Sequence, residues 1–362
     1  MKSLKQYGVL PWILAAIILG ILCSLFFPAW AVRTFLTFNG IFSNSLGMFI
    51  PLLIIGLVAP AIADLGKGAG KLLLITVAIA YFSTVTVGLV SYFTCKLTFP
   101  HILGDSLGSL SGFDAAKSFE PFFTIEMPAF INVTTALVVA FVLGLGCSAI
   151  KGGAMKSVLD DFRDIIMMTI RNVIIPCLPV FIFGIFLKMG AEGQVASVMG
   201  MFVKVVIVII ALHIAVLVCQ FLIAGAISGK RPLKSLVTML PAYVTALGTQ
   251  SSAATIHMPC SILKIVACSL AVSMSMGMPT DFGLFFQFIL MLAITMVAAP
   301  GVPGGAIMAA LGVIAGTLGF NADMQGFVIA IYIALDCFGT AGNVTGDGAV
   351  TMIIDKIKFK QA

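Results

Sequence analysis

Of 362 residues, 60% are hydrophobic and 9% charged, about a third of the charge that a soluble domain carries. This composition excludes a soluble globular protein and requires a chain that hides its surface in lipid. The net charge of +6 does not mark a nucleic-acid binder, because the basic residues stand between apolar runs and form no single patch.

At the amino end, Lys2 and Lys5 precede an apolar stretch, and residues 29–31 (AWA) imitate a signal-cleavage site. The run from Val9 to about Trp30 is nevertheless long enough to cross a bilayer, so the sequence predicts a retained first helix. After this window at 9–32, others follow at 40–63, 72–95, 127–150, 165–188 and 199–228. No soluble linker separates them, which predicts a single membrane domain over 1–362. Connections bearing Lys67, Lys71, Lys151, Lys156, Arg163, Lys230, Arg231 and Lys234 alternate with those bearing Arg33, Lys96, Lys117 and Lys188. With Lys2, Lys5, Lys356, Lys358 and Lys360 on the first side, the imbalance predicts cytoplasmic termini in a multi-pass protein of the cell (inner) membrane. The 96–126 connection reads as a solvated external loop, and Pro176 and Pro179 predict a kink in the fifth span.

Beyond residue 234 the apolar material is interrupted, by TALGTQSSAAT at 245–255 and by VAAPGVPGGA at 297–306. Backbone released from a helix cannot face lipid, so such breaks must be buried in protein or line a cavity. A pair of interrupted segments is a pointer to a transporter's binding site. Lys264, in SILKIVA, either snorkels or pairs with an acid. His213 reads as hydrogen-bonded packing, and the eight cysteines, with no CxxC or metal-ligand spacing, read as small apolar side chains.

The run from about 326 to 354 predicts a final span that contains DCFGTAGNVTGD. At 100° per residue, Thr340, Asn343 and Asp347 fall within about 40° of Asp336. One helix face therefore carries two carboxylates, an amide and a hydroxyl. A carboxylate at membrane depth is costly unless partnered, and this all-oxygen set suits a hard cation or a solute ammonium group. No phosphate loop, HExxH or nucleophile elbow is present, so no enzyme is predicted.

At these residues the chain resembles the dicarboxylate/amino acid:cation symporter family, which includes the glutamate and neutral amino acid transporters. The final-helix motif D-x-x-R-T-x-x-N-x-x-x-D is matched from Asp336 to Asp347, the GVPG tip of a second re-entrant hairpin by 301–304, and a serine-rich first tip by TQSSAAT. The resemblance implies an all-α polytopic fold of about eight transmembrane helices and two re-entrant hairpins. Scaffold helices would lie mainly within 1–230 and a transport core mainly within 72–95 and 232–355. It implies that Asp336 holds a substrate amino group and that Thr340 and Asn343 add substrate contacts. Ser251, Ser252 and Val302 would lie at the hairpin tips, and Asp347, Asn343, Tyr81 and Thr84 would serve sodium sites. It implies Na+ as coupling ion, with a proton as the alternative, a homotrimer, and surrounding membrane lipid.

Three departures qualify the expected activity. Gly339 stands where carriers of acidic amino acids keep an arginine; without that bidentate fork, the predicted cargo is a small neutral amino acid, with an acidic amino acid or dicarboxylate as runner-up if Lys264 supplies the cation. HMPCS at 257–261 replaces the family's NMDGT, which removes side-chain ligands from one cation site. Between the first hairpin tip and GVPGG there are too few residues for a hairpin arm, a span and another arm, which need roughly 50 to 60. The first hairpin and seventh helix are thus shortened, and a transport-impaired or channel-like relative is the alternative of another class.

Overall fold

A computed structural model describes residues 10–66, 71–104, 119–150, 153–193, 195–249, 259–298 and 305–359. Among them are thirteen α-helices and no strand: α1 Leu10–Ser24, α2 Ala29–Gly66, α3 Lys71–Leu103, α4 Val133–Ala149, α5 Ala154–Thr169, α6 Ile175–Ala191, α7 Val195–Ser228, α8 Pro232–Thr249, α9 Pro259–Ser275, α10 Phe282–Ala298, α11 Gly305–Leu318, α12 Ala322–Ala334 and α13 Asp336–Phe359. Among the described residues, Ala29–Asp64, Ala78–Leu103, Ala154–Ala191 and Met199–Ser228 are long and apolar enough to cross a membrane, and α12 with α13 passes the same measure only as a pair, bent by 61°. The apolar helices α9, α10 and α11 have 17, 17 and 14 residues. At 1.5 Å per residue none covers a hydrocarbon core of about 30 Å.

Several expectations are corrected by local chemistry. The first window closes early: the Ser24 hydroxyl turns back onto Ile21 O (2.6 Å), and α2 opens just after Pro28, whose carbonyl accepts from Ala31 N (2.9 Å). α2 then continues unbroken through the connection predicted around residue 33. Arg33 therefore sits in a helix, where its Nε donates to Glu120 O (3.0 Å) and its guanidinium stacks on Phe122. The loop predicted at 96–126 begins as the last turns of α3, and residues beyond 119 lie along α2, with Phe122 N donating to Thr37 Oγ1 (2.9 Å) and Asn44 Nδ2 to Ile125 O (2.7 Å). Just before Pro176, the fifth span carries a π-helical turn over Ile170–Ile174, in which Ile175 N reaches back five residues to Ile170 O. Pro176, next in sequence, has no N–H to offer the preceding turn, and a π-turn absorbs that gap.

Packing divides along the chain. α2 carries α4, α5 and α6 along its length, and α1 lies on α6. α4 approaches α2 closely because residue 144 is glycine: a Cβ there would stand 2.9 Å from Ala59 O and 2.6 Å from Ile62 Cβ. Small residues set helix spacing where apolar collapse gives no drive. The Gly144→Val variant should force the pair apart at a cost of about 1–3 kcal/mol, read as a lower thermal midpoint in detergent; an unchanged midpoint would show that this contact does not fix the spacing.

The later helices surround α9. Every residue of α9 except Met274 is buried, as expected of a helix without a polar stripe that neighbours cover on all sides. Its serines, cysteines and alanines let α3, α7, α12 and α13 approach closely, and Ser91 Oγ of α3 donates to Leu263 O (2.9 Å). At the helix ends, Lys188 meets Asp323 (2.7 Å) and Lys230 meets Asp355 (2.8 Å), tying α6 to α12 and the α7–α8 corner to α13. Met274, Met276 and Met278 pack against the edge of this core.

Candidate functional site

The run predicted as one final span folds as two helices. α12 stops at Ala334, Leu335 takes a non-helical conformation (φ −104°, ψ 6°), and α13 restarts at Asp336. Asp336 thereby becomes the first residue of a helix, where the exposed N–H groups and the dipole favour a carboxylate. The predicted polar face survives the break because Asp336, Thr340, Asn343 and Asp347 all lie on α13. Asp336, Thr340 and Asn343 are buried and Asp347 is half-buried.

Lys264, midway along α9 and 0% exposed, points into the break. Its Nζ lies 3.1 Å from Asp336 Oδ1, 3.5 Å from Leu335 O and 3.7 Å from the centre of the Tyr332 ring. One ammonium thus faces the last turn of α12, the carbonyl at the break and the first carboxylate of α13. Buried charge is tolerated when it is paired in this way. Gly339 makes the arrangement sterically feasible: a Cβ at that position would collide with Lys264 Nζ and stand 2.6 Å from its Cε. Of the two readings the sequence left for Lys264, pairing with an acid is the one realised.

One turn earlier on α9, Asn343 joins the same two helices. Its Oδ1 accepts from Cys260 N (2.9 Å) and its Nδ2 donates to Ser261 Oγ (3.1 Å), a hydroxyl that also accepts from Tyr332 OH (3.3 Å). The first turn of a helix has amide protons without intrahelical acceptors, and Asn343 serves one of them from outside. Pro259, at the first helical position, has no N–H that would need such a partner. The side chain of Asn343 thus ties α13 to α9 with one acceptor and one donor, and keeps a second lone pair and a second N–H. Ser261 and Tyr332 carried no signal in the sequence, since a serine and a tyrosine in apolar helices are common and only the fold brings them to Asn343 and Lys264.

The other expected ligands are placed as follows. Thr84 is buried on α3 and its hydroxyl donates to Ala80 O (2.7 Å) within its own helix, while Tyr81, half-buried, meets the Phe82 ring edge-on. α3 packs beside both α9 and α13. Ser251, Ser252 and Val302, with both predicted hairpin tips, lie outside the described residues, as does His257.

A cavity of about 290 Å³ lies on the far side of α13, between it and α7 and α8, lined among others by His213, Tyr243, Phe338, Gly342 and Thr345. Phe338, Gly342 and Thr345 are about 120° to 180° around the helix from Asp336, so this space does not adjoin the polar stripe. His213 contributes Nε2 to a 3.1 Å hydrogen bond with Cys260 O. Because a carbonyl only accepts, Nε2 carries the proton, and the ring is the packing element the sequence predicted.

Apolar helices packed around a buried ion pair at a helix break, with a stripe of oxygen groups beyond the break, form a pattern that membrane proteins use along ion and solute pathways. The Sodium:dicarboxylate symporter family matches residues 9–258 and 254–357, and the chain belongs to that family. The two matched stretches meet at 254–258, where the spacing predicted a shortened segment. A curated relative, excitatory amino acid transporter 1 of Ambystoma tigrinum, is 26% identical over 270 residues, 64% of this chain and 49% of the relative. The chain thus spans about half the length of that relative. It is a multi-pass membrane protein of a cation-coupled transporter family.

Proposed function

We propose that this protein uses the inward gradient of Na+ to carry a small carboxylate-bearing solute, an amino acid or a dicarboxylate, across the cell (inner) membrane with both termini in the cytoplasm. The observation that carries this reading is the polar face of α13: two carboxylates, a hydroxyl and an amide set in apolar surroundings, with one carboxylate held by a fully buried lysine. Such groups are costly at membrane depth and mark ion and solute pathways. In this reading Asp336, Thr340 and Asn343 face the solute, with Gly339 leaving room for Lys264 beside them. Asp347 and the backbone of Asn343 hold Na+, with Tyr81 and Thr84 at a second ion position. The short α10 and α11, which flank the GVPG sequence, form a re-entrant hairpin, with Val302 at its tip. Ser251 and Ser252 belong to the opposite tip. The helices up to residue 230 form the scaffold of a homotrimer, and 72–95 with 232–355 form the moving core of a single transport domain.

Uptake into proteoliposomes tests the proposal. With Na+ outside, labelled solute should accumulate; replacing Na+ by choline at fixed pH should abolish accumulation, whereas a proton-driven carrier would be indifferent to the exchange. Asp347→Ala should lower Na+-dependent uptake about 10-fold or more, the loss expected for an ion ligand whose carboxylate contributes over 1.4 kcal/mol. Retention of uptake by that variant would remove Asp347 from the ion site, and absence of Na+-dependent uptake of every solute by the unmodified chain would identify it as a transport-impaired relative.

A further inference from the structure

The break in the last span has a property that the family assignment does not contain. Where a solute ammonium would approach Asp336, the protein already holds an ammonium of its own, Lys264 Nζ, 3.1 Å from Oδ1. It belongs to a different helix, 72 residues away in sequence, and it occupies the room that any side chain at position 339 would need. We propose that Lys264 is the fixed cation of the solute site, supplied by α9 through the space above Gly339, and that by neutralising Asp336 it makes the site select carboxylates lacking an ammonium group, dicarboxylates foremost, over amino acids.

Electrostatics gives the direction of selection. A second ammonium on Asp336 would stand within about 5 Å of Lys264 Nζ, and two unit cations at that distance in a low-dielectric interior repel strongly. Such a solute would have to break the internal pair and leave Lys264 buried without its counter-ion, which is the costly alternative for a charge at this depth. A solute carboxylate meets the opposite field. The contacts of Lys264 with Asp336 and Leu335 are 3.1 and 3.5 Å, longer than the 2.7–2.9 Å of a tight charge-assisted hydrogen bond. The ammonium can therefore turn one N–H toward an incoming carboxylate without abandoning Asp336. Cation coupling follows from the same balance: the pair is neutral, so a dianionic cargo brings uncompensated charge into the core, and cations must enter with it.

This inference rests on the reading of the α13 face as the solute site, and the two fail differently. Proteoliposomes containing the unmodified protein are given labelled succinate, aspartate and serine in turn, each with a Na+ or a choline gradient. Na+-driven uptake of succinate should exceed that of serine and aspartate about tenfold or more. Uptake of serine or aspartate equal to or faster than that of succinate overturns the selection by Lys264 and leaves symport intact, while no Na+-driven uptake of any of the three removes both. A second arm moves the charge. In Lys264→Ala with Gly339→Arg, the cation sits on α13 and no longer covers Asp336, so the succinate-to-aspartate uptake ratio should fall about tenfold or more. An unchanged ratio in that folded, transport-active variant would also overturn the proposal. Thermal stabilisation by the same solutes in the presence of Na+ reads binding directly, and a larger shift with serine or aspartate than with succinate would count against it.

Discussion

Replacing Lys264 with methionine will lower the stability of the protein by about 3–5 kcal/mol, although the two side chains are similar in length and volume. Methionine keeps most of the apolar contact of the lysine stem. What it removes is the positive charge beside Asp336, a carboxylate only 8% exposed, together with the donor to Leu335 O and the cation over the Tyr332 ring. The protein is left with a buried acid that has lost its ammonium partner, which costs more than the intact pair contributes in net terms. For the same reason Lys264→Met combined with Asp336→Asn should recover a large part of the loss, since neither residue then carries charge. Thermal midpoints in detergent for the two single variants and the double variant measure the coupling. A Lys264→Met midpoint equal to that of the unmodified chain, or a double variant as unstable as the sum of the singles, would show that the two charges do not support one another.

Asn343→Ala is expected to cost about 2–4 kcal/mol and to abolish uptake. The side chain closes two hydrogen bonds in a region with no access to water: without it, Cys260 N loses its acceptor and Ser261 Oγ loses one donor. A buried amide proton left alone costs about 1–3 kcal/mol, and the missing atoms leave a gap between α9 and α13. Ser261→Ala should be milder, about 1 kcal/mol, because Asn343 still receives Cys260 N. The order of the two midpoints is the test: if Ser261→Ala is the more damaging, the link between the helices runs through the hydroxyl and not through the amide.

The role of Asn343 shows how far residue type and spacing can reach. A helical projection from Asp336 correctly placed four oxygen-bearing side chains on one face of α13, because that pattern is local and depends only on 100° per residue. It could not tell which groups are already engaged by the protein. Cys260 and Ser261 are more than eighty positions from Asn343, and nothing in their identity marks them as its partners.

The same distinction separates what sequence and structure each decided here. Apolar windows, the interrupted segments and the D-x-x-x-T-x-x-N-x-x-x-D spacing settled the membrane class and the polar face of α13, since hydrophobicity and helical periodicity are properties of consecutive residues. The glycine at position 339 argued from sequence for a site without a fixed cation, and hence for a neutral cargo. Only the packing of α9 against α13 revealed that the space left by Gly339 is filled by a lysine. Likewise, the 61° bend at Leu335 was invisible in an apolar run without proline, and the lysine that meets Asp336 and Leu335 O there comes from a distant helix. Charge inside a membrane protein is balanced in three dimensions, and a residue's partner across the core leaves no mark on the residues beside it in the chain.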